Sequence, residues 1–171
     1  MKIEWPTRGE RESFEINGFI AAYTQLHPEL SLVIEQKGER PDFVIKDVLT
    51  NRRFGIELTS VYLDDRSVPD VHKKPIDGPT DIEYDPSKIE QYLGRTLDAI
   101  QKKIILARTG YDASLPLILS VYANEYICIH TDIKTWEKFV KTHEGAFDAM
   151  HPFSEVVIWN LPDDGVFSVR P

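Results

Sequence analysis

Apolar residues follow two different spacings along the chain, and these spacings predict a protein of helices and strands. From Glu10 to Leu26, apolar side chains recur every three or four residues, as on one face of a helix. From Arg53 to Val61, alternate side chains are apolar, as in a strand with one face toward a core. Helical and extended segments in this arrangement indicate the α/β class.

The same criteria place elements along the whole sequence. In chain order, they are a helix over Glu10 to Leu26, strands over Leu30 to Gln36, Asp42 to Asp47 and Arg53 to Val61, a helix from an Asp85-Pro86 N-cap to Arg108, a strand over Leu115 to Tyr122, a short strand over Tyr126 to His130, a helix capped by Thr131 or Asp132 that ends near Thr142, and strands over Val156 to Asn160 and Val166 to Val169. A hairpin within a sheet flanked by helices predicts a mixed α/β fold.

One segment, residues 63–85, interrupts this order. It contains Pro69, Pro75 and Pro79 among many charged residues. An irregular stretch of this length inside a compact domain is either an ordered lid over a site or a mobile insertion. We therefore expect a single domain over residues 1–171, with an irregular insertion at about 63–85.

Charge and composition narrow the functional classes. The net charge of -8 argues against a broad nonspecific grip on nucleic-acid phosphates, although a metal site also concentrates carboxylates. Cys128 is the only cysteine, so the chain forms no internal disulfide. No apolar run approaches the ~20 residues of a membrane helix, and the first residues lack the apolar core of a secretory signal. These features predict a cytoplasmic protein without a membrane partner.

Two acidic residues stand in the two strands of the predicted hairpin. Asp42 opens one strand and Glu57 lies within the other. If the strand register puts both on one face, they form a hard oxygen site suited to Mg²⁺ or Mn²⁺. Asp42 after a proline is also typical of a turn. Glu57 is harder to explain structurally, because a carboxylate in a strand covered by helices needs a partner or a metal.

These residues resemble a known family. Pro41-Asp42-Phe43, a hairpin of this length, and Glu57-Leu58-Thr59 preceded by Ile56 are similar to the motif of the PD-(D/E)XK nuclease superfamily. The helix–strand–strand–strand–helix–strand order also matches that family's core, from the first helix to the strand near Leu119. The resemblance implies a restriction-endonuclease-like fold and metal-dependent hydrolysis of phosphodiester bonds in DNA or RNA. It also implies Mg²⁺ or Mn²⁺ as cofactor and, as in many relatives, a homodimer.

The sequence departs from the family motif at Thr59, where relatives carry a lysine that orients or activates the attacking water. In some branches an equivalent lysine lies on the second long helix, where this chain has Lys102 and Lys103. With Ile100 at the centre of the buried face, Lys103 projects about 60° from that centre and Lys102 nearly opposite. Lys103 is therefore the better catalytic candidate, although both fit solvated surface lysines.

The family often adds a glutamate from the first helix to the metal site. Glu12 and Glu15 are the candidates here, and helical geometry places Glu12 at the centre of the apolar face and Glu15 nearer its edge. The resemblance thus implies a metal site of Asp42, Glu57 and Glu12, assisted by Lys103. An acidic residue in the first turn of a helix is also favourable without any metal.

Two other interpretations stay open. The missing strand lysine and the acidic charge favour a non-catalytic relative that uses the same fold to bind a protein or a nucleic acid. Alternatively, the chain is an unrelated small α/β enzyme or interaction domain with structural carboxylates. The five histidines have no zinc-site spacing, no Gly-rich phosphate loop is present, and Cys128 is typical of an inert core thiol.

Overall fold

The computed structural model describes residues 7–62, 86–111, 114–124 and 131–171. These residues form helices and strands in the following order: α1 (Arg8–Leu26), β1 (Leu32–Lys37), β2 (Phe43–Asp47), β3 (Arg53–Tyr62), α2 (Lys88–Gly110), β4 (Leu117–Asn124), α3 (Ile133–Thr142), α4 (Glu144–Asp148), β5 (Phe153–Leu161) and β6 (Gly165–Val169). The segment 63–85, the predicted strand Tyr126 to His130 and Cys128 lie outside the described residues.

The six strands form one open sheet in sequence order, β1 to β6. β1, β2 and β3 pair antiparallel, β3, β4 and β5 pair parallel, and β6 returns antiparallel to β5. The predicted mixed α/β fold and the β2–β3 hairpin are therefore confirmed. Helix α2 makes the crossover between the parallel strands β3 and β4, as such a connection requires.

Helix α1 covers one face of the sheet. It begins with a capping box, in which Thr7 accepts a hydrogen bond from the Glu10 backbone and the Glu10 side chain accepts from the Thr7 backbone. Gly18 allows close packing, because a Cβ at this position would lie 2.4 Å from the Trp159 ring. The core on this side contains the following buried residues of α1 and the sheet: Ile16, Phe19, Tyr23, Phe43, Ile45, Phe54, Ile56, Ile118 and Val157.

Helices α2, α3 and α4 contribute to the core on the opposite face of the sheet. Ile100 and Ile104 are buried as the helical pattern predicts, and Trp136 on α3 is fully buried beside Tyr92 on α2. In β3, Phe54 and Ile56 face α1, so the alternate residue Glu57 faces α2. The fold therefore places Glu57 beneath a helix.

Several predicted boundaries are wrong. The Asp85-Pro86 N-cap is incorrect, since α2 begins at Lys88 after a tight turn in which the Ile89 N–H donates to the Pro86 carbonyl. Strand β4 begins after Pro116, because proline has no N–H for the ladder. The short helix α4 was not predicted, and Asp132 rather than Thr131 is the N-cap of α3.

The remaining strands differ from prediction by a few residues at their ends, as the ranges above show. Among the helices in the described part of the chain, none combines the length and hydropathy needed to cross a membrane.

Candidate metal site

The register of the β2–β3 hairpin brings Asp42 opposite Glu57. Phe43 pairs with Ile56 in the antiparallel ladder. Asp42 immediately precedes Phe43, and Glu57 immediately follows Ile56, so the two acidic residues occupy the next opposed position. Opposed residues in antiparallel strands project to the same face of a sheet. The register therefore agrees with the condition set by the sequence analysis, namely that Asp42 and Glu57 lie on the same face of the sheet.

Close packing before β2 fixes the position of Asp42. Gly55 in β3 has no side chain, and a Cβ there would lie 2.9 Å from the Pro41 ring and 2.6 Å from Leu117. Pro41 is buried against this gap. The Asp42 Oδ2 then accepts a hydrogen bond of 2.8 Å from the Leu58 backbone N–H. Gly55 and Pro41 thus hold the Asp42 carboxylate against the centre of β3.

The surroundings of Asp42 oppose its ionisation. Burial raises the pKa of its carboxyl, and the nearby charges of Glu57 and Glu12 raise it further. The Leu58 N–H and the Lys103 ammonium act in the opposite direction, and the net shift is upward. Glu57 therefore lies close enough for its charge to contribute to the raised pKa of Asp42.

Glu57 is the most deeply buried acidic group of the candidate site, with 3% of its side chain exposed. Its Oε1 accepts a hydrogen bond of 2.6 Å from the Lys103 Nζ. Its Oε2 is buried and has no hydrogen bond of normal geometry among the described residues, although the Tyr111 hydroxyl lies near this carboxylate. A buried carboxylate oxygen in this state is costly unless another group satisfies it.

The structure separates the two candidate lysines as helical geometry predicts. Lys103 points from α2 toward β3 and is 25% exposed, whereas Lys102 is exposed to solvent. Lys103 also lies close enough to lower the pKa of Asp42. The structure therefore brings three predicted residues together, namely Asp42, Glu57 and Lys103.

Two neighbours of the site were missed in the sequence. The Tyr111 hydroxyl lies near Glu57, and burial together with this carboxylate raises the pKa of Tyr111, so that the phenol stays protonated. The Arg40 guanidinium packs beside Gly110, where a Cβ would lie 2.9 Å from it. Tyr111 directly follows the glycine that ends α2, and Arg40 directly precedes Pro41-Asp42, but no periodic pattern marks either position.

Glu12 lies at the edge of this cluster and is already paired. Its Oε2 is 2.7 Å from the Lys37 Nζ, and its Oε1 is 2.6 Å from the Arg8 Nε. The hydrogen bond from Lys37 is the main cause of the lowered pKa of Glu12. The carboxylate is near enough to influence Asp42, but both of its oxygens have basic partners.

Glu15 is more buried than Glu12, which reverses their predicted order. The buried face of α1 also includes Ala22, so its centre lies closer to Glu15 than the sequence pattern predicted. The Ser60 hydroxyl donates a hydrogen bond to the Glu15 Oε1. Burial raises the pKa of Glu15 despite this hydrogen bond. The nearby charge of Asp42 also raises the pKa of Glu15, because one carboxylate disfavours ionisation of the other.

Two observations limit the number of side chains that could bind a metal ion at this site. Thr59, which was expected to stand where the resembled motif has a lysine, is half-buried on β3. Among the described residues, no group of three or more His, Cys, Asp or Glu side chains is arranged to hold a metal ion. The protein ligands that the geometry offers are therefore the oxygens of Asp42 and Glu57, which suit a small hard cation that keeps several waters.

Comparison of the chain with protein-family models, with curated proteins and with solved structures finds no match.

Proposed function

We propose that this protein is a metal-dependent nuclease with a restriction-endonuclease-like fold, which hydrolyses phosphodiester bonds in DNA or RNA. The observation that carries the proposal is the opposed pair of carboxylates at the end of the β2–β3 hairpin, with a lysine on one of them. Asp42 precedes the ladder at the position that continues its register opposite Glu57, and Lys103 contacts Glu57 at 2.6 Å. Their chain order and spacing agree with the resemblance to the PD-(D/E)XK superfamily.

The residues present fit a divalent cation. The Glu57 Oε2 is a buried oxygen without a hydrogen bond of normal geometry among the described residues, and Asp42 has a second carboxylate oxygen besides the one bound by Leu58. A cation held by both would remove the charge repulsion between them. When bound, Mg²⁺ or Mn²⁺ supplies Lewis-acid polarisation of a phosphoryl oxygen and favours the ionisation of water at neutral pH.

The chain itself supplies positive charge and a proton donor. Lys103 donates a hydrogen bond to the Glu57 Oε1, and its ammonium lies where it can offset charge that develops on the attacked phosphate. Tyr111 remains protonated beside Glu57, so its hydroxyl is a hydrogen-bond donor rather than a second anion. In this proposal Lys103 takes the role that relatives assign to the strand lysine replaced by Thr59.

Basic side chains around the carboxylates would hold the substrate. Arg8 and Lys37 pair with Glu12, and Arg40 lies beside Gly110 and Tyr111. The net charge of -8 describes the whole chain, whereas these three cations lie next to the acidic residues of the candidate site. Phosphate contacts from Arg and Lys position a nucleic acid without reading its sequence.

The test is cleavage of single-stranded DNA, double-stranded DNA and RNA oligonucleotides in the presence of Mg²⁺ or Mn²⁺. Asp42→Asn and Glu57→Gln are expected to lower the cleavage rate by about a hundredfold or more, because each removes an anionic ligand at the reacting group. Asp98→Asn is the matched control, since Asp98 is exposed on α2. Cleavage that survives both site substitutions at the wild-type rate would reject the proposal.

A non-catalytic protein on the same fold is the second candidate. Lys103 already neutralises Glu57, both oxygens of Glu12 are paired, and Thr59 supplies no charge. A site compensated in this way can bind a protein or a nucleic acid without hydrolysis. Binding of an oligonucleotide that needs no divalent cation, with no cleavage of any of the three substrates, would favour this candidate.

A further inference from the structure

A cavity of about 410 Å³ lies at the amino ends of the parallel strands. It is formed between the end of α1, the first residues of β3, β4 and β5, and the residues after β6. Phe54 and Ile118 in its wall belong to the core that packs on α1. The candidate metal site is on the other face, where Glu57 points toward α2, so the cavity is separate from it. Its volume falls in the range of small-molecule pockets.

A buried carboxylate organises the polar wall of this cavity. Glu155 is 4% exposed, and its Oε2 accepts a hydrogen bond of 2.9 Å from the Tyr23 hydroxyl. Its Oε1 accepts from the Ser168 hydroxyl and lies 3.2 Å from Arg170. The charge of Glu155 is therefore satisfied within the protein, and it serves to orient Arg170.

Arg170 retains the capacity to bind a ligand. Its contacts with Glu155 and with the His27 Nε2, at 3.0 Å, all use one nitrogen, Nη2. Its side chain is 57% exposed and lines the cavity, and its contacts with Glu155 and His27 leave the other guanidinium nitrogens, Nε and Nη1, unused. A guanidinium edge presents paired N–H donors that match the two oxygens of a phosphate or a carboxylate.

A second arginine reaches the same cavity from the β2–β3 turn. Arg52 lies over the Phe54 ring, with its Cζ 5.3 Å from the ring centroid. The next residue, Arg53, is instead held outside the cavity by Glu35, with Nε and Oε2 2.7 Å apart. Stacking on Phe54 orients the Arg52 guanidinium without consuming its hydrogen-bond donors.

Part of the cavity wall is apolar. Glu29, Ser154 and Glu155 contribute to the polar part of the lining, and Leu30, Phe54, Pro116 and Ile118 form the apolar part. A ligand pocket typically combines an apolar lining with a few polar groups that fix orientation. An oxyanion could be held at the rim by Arg52 and Arg170 while an attached flat apolar group rests on these side chains.

We propose that this cavity binds a small organic molecule that carries a phosphate or carboxylate group on a flat apolar body. Arg52 and Arg170 hold the oxyanion, and Glu155, Tyr23 and His27 position Arg170. The inference does not rest on the nuclease proposal, because none of these residues belongs to the metal site.

Isothermal titration with four probes tests the proposal on the full chain. Phenyl phosphate and benzoate each combine a ring with an oxyanion, inorganic phosphate lacks the ring, and phenol lacks the oxyanion. We expect saturable binding of phenyl phosphate or benzoate, and the stronger of the two identifies the oxyanion that the site prefers. Inorganic phosphate should bind more weakly than phenyl phosphate. Equal binding of phenol, or no binding of either ring-bearing anion in the millimolar range, would overturn the proposal.

Neighbouring arginines provide the matched variants. Arg52→Gln should weaken binding of the preferred probe about tenfold or more, because a charge-assisted hydrogen bond is lost. Arg53→Gln removes the same charge one residue away and should leave the affinity unchanged. Arg52 is exposed, so its substitution leaves the Glu155 network intact. An equal loss in both variants would indicate a general charge effect and reject the site, as would an Arg52→Gln variant that binds like the wild type.

Discussion

At the scale of single residues, the contrast between Lys102 and Lys103 tests whether the candidate site is a connected unit. Lys103→Met removes the cation from a carboxylate that is 3% exposed and leaves Glu57 with an unpaired buried charge. We expect the free energy of unfolding to fall by about 1–3 kcal/mol. Lys102→Met changes an exposed side chain on the same helix, and its effect should stay within about 0.5 kcal/mol. Urea denaturation of both variants measures the difference.

A third variant separates charge from packing. Combining Lys103→Met with Glu57→Gln removes the buried charge as well as its partner, so part of the lost stability should return. If the double variant is no more stable than Lys103→Met alone, the lysine stabilises the fold through its contacts and not through Glu57.

At the scale of elements, two aspartates at the ends of strand β2 have opposite pH dependence: Asp42 directly precedes the strand and Asp47 is its last residue. The native pKa of Asp42 is raised by burial, whereas that of Asp47 is lowered by hydrogen bonds from Thr50 and from the Ser31 backbone. A raised carboxyl pKa means that the folded protein holds a proton that the unfolded chain has released. The stability due to Asp42 is therefore fully present at a pH below 3.8, the ordinary pKa of an aspartate, and is lost as the pH rises through the native pKa of Asp42.

Asp47 follows the reverse course. In the folded protein the Asp47 carboxylate resists protonation. Its contribution to stability is therefore present at a pH above 3.8, the ordinary aspartate pKa, and is lost as the pH falls through the native pKa of Asp47. Unfolding free energies of Asp42→Asn and Asp47→Asn, measured from acid to neutral pH without divalent metal, check this. The wild type should lose stability relative to Asp42→Asn as the pH rises, and gain it relative to Asp47→Asn. If wild-type stability changed in the same direction with rising pH relative to both variants, the environments described for Asp42 and Asp47 would be contradicted.

The sequence predicts a helix or a strand well where a single hydrophobic period determines its structure. Alternation in β3 correctly separated Phe54 and Ile56 from Glu57, because a strand exposes only two faces. The start of α2 was wrong, since Asp85-Pro86 has cap chemistry but helical hydrogen bonding begins two residues beyond Pro86. The local preferences of residues show where a helix could begin, whereas the packing of the whole helix determines where it does begin.

At the scale of the whole molecule, the site was predictable only in part. Glu57 stands out in the sequence because a carboxylate on a buried strand face needs an explanation, whereas Asp42 and Lys103 were selected through the resemblance to the PD-(D/E)XK motif. Tyr111 and Arg40 do not stand out, because they reach the site from the ends of elements whose positions depend on the complete fold. The cavity beside Glu155 was missed for the same reason. Its wall joins α1, three strands and Arg170, which are distant in sequence.

The open sheet also separates the two proposed sites from each other. The carboxylate pair lies on the face that α2 covers, and the cavity of about 410 Å³ lies on the face that α1 covers, at the amino ends of the parallel strands. Because the sheet stands between them, substitutions in one site should not alter direct contacts in the other. Loss of function in each can therefore be assigned separately.

Calorimetric titration of Mn²⁺ into the metal-free protein tests most directly whether Asp42 and Glu57 together hold a divalent cation. The wild type and the exposed-site control Asp98→Asn should each bind one Mn²⁺ per chain. Asp42→Asn and Glu57→Gln should each weaken that binding about tenfold or more, which corresponds to about 1.4 kcal/mol. A wild type that binds no Mn²⁺, or both site variants binding it as tightly as the wild type does, would contradict the shared carboxylate site.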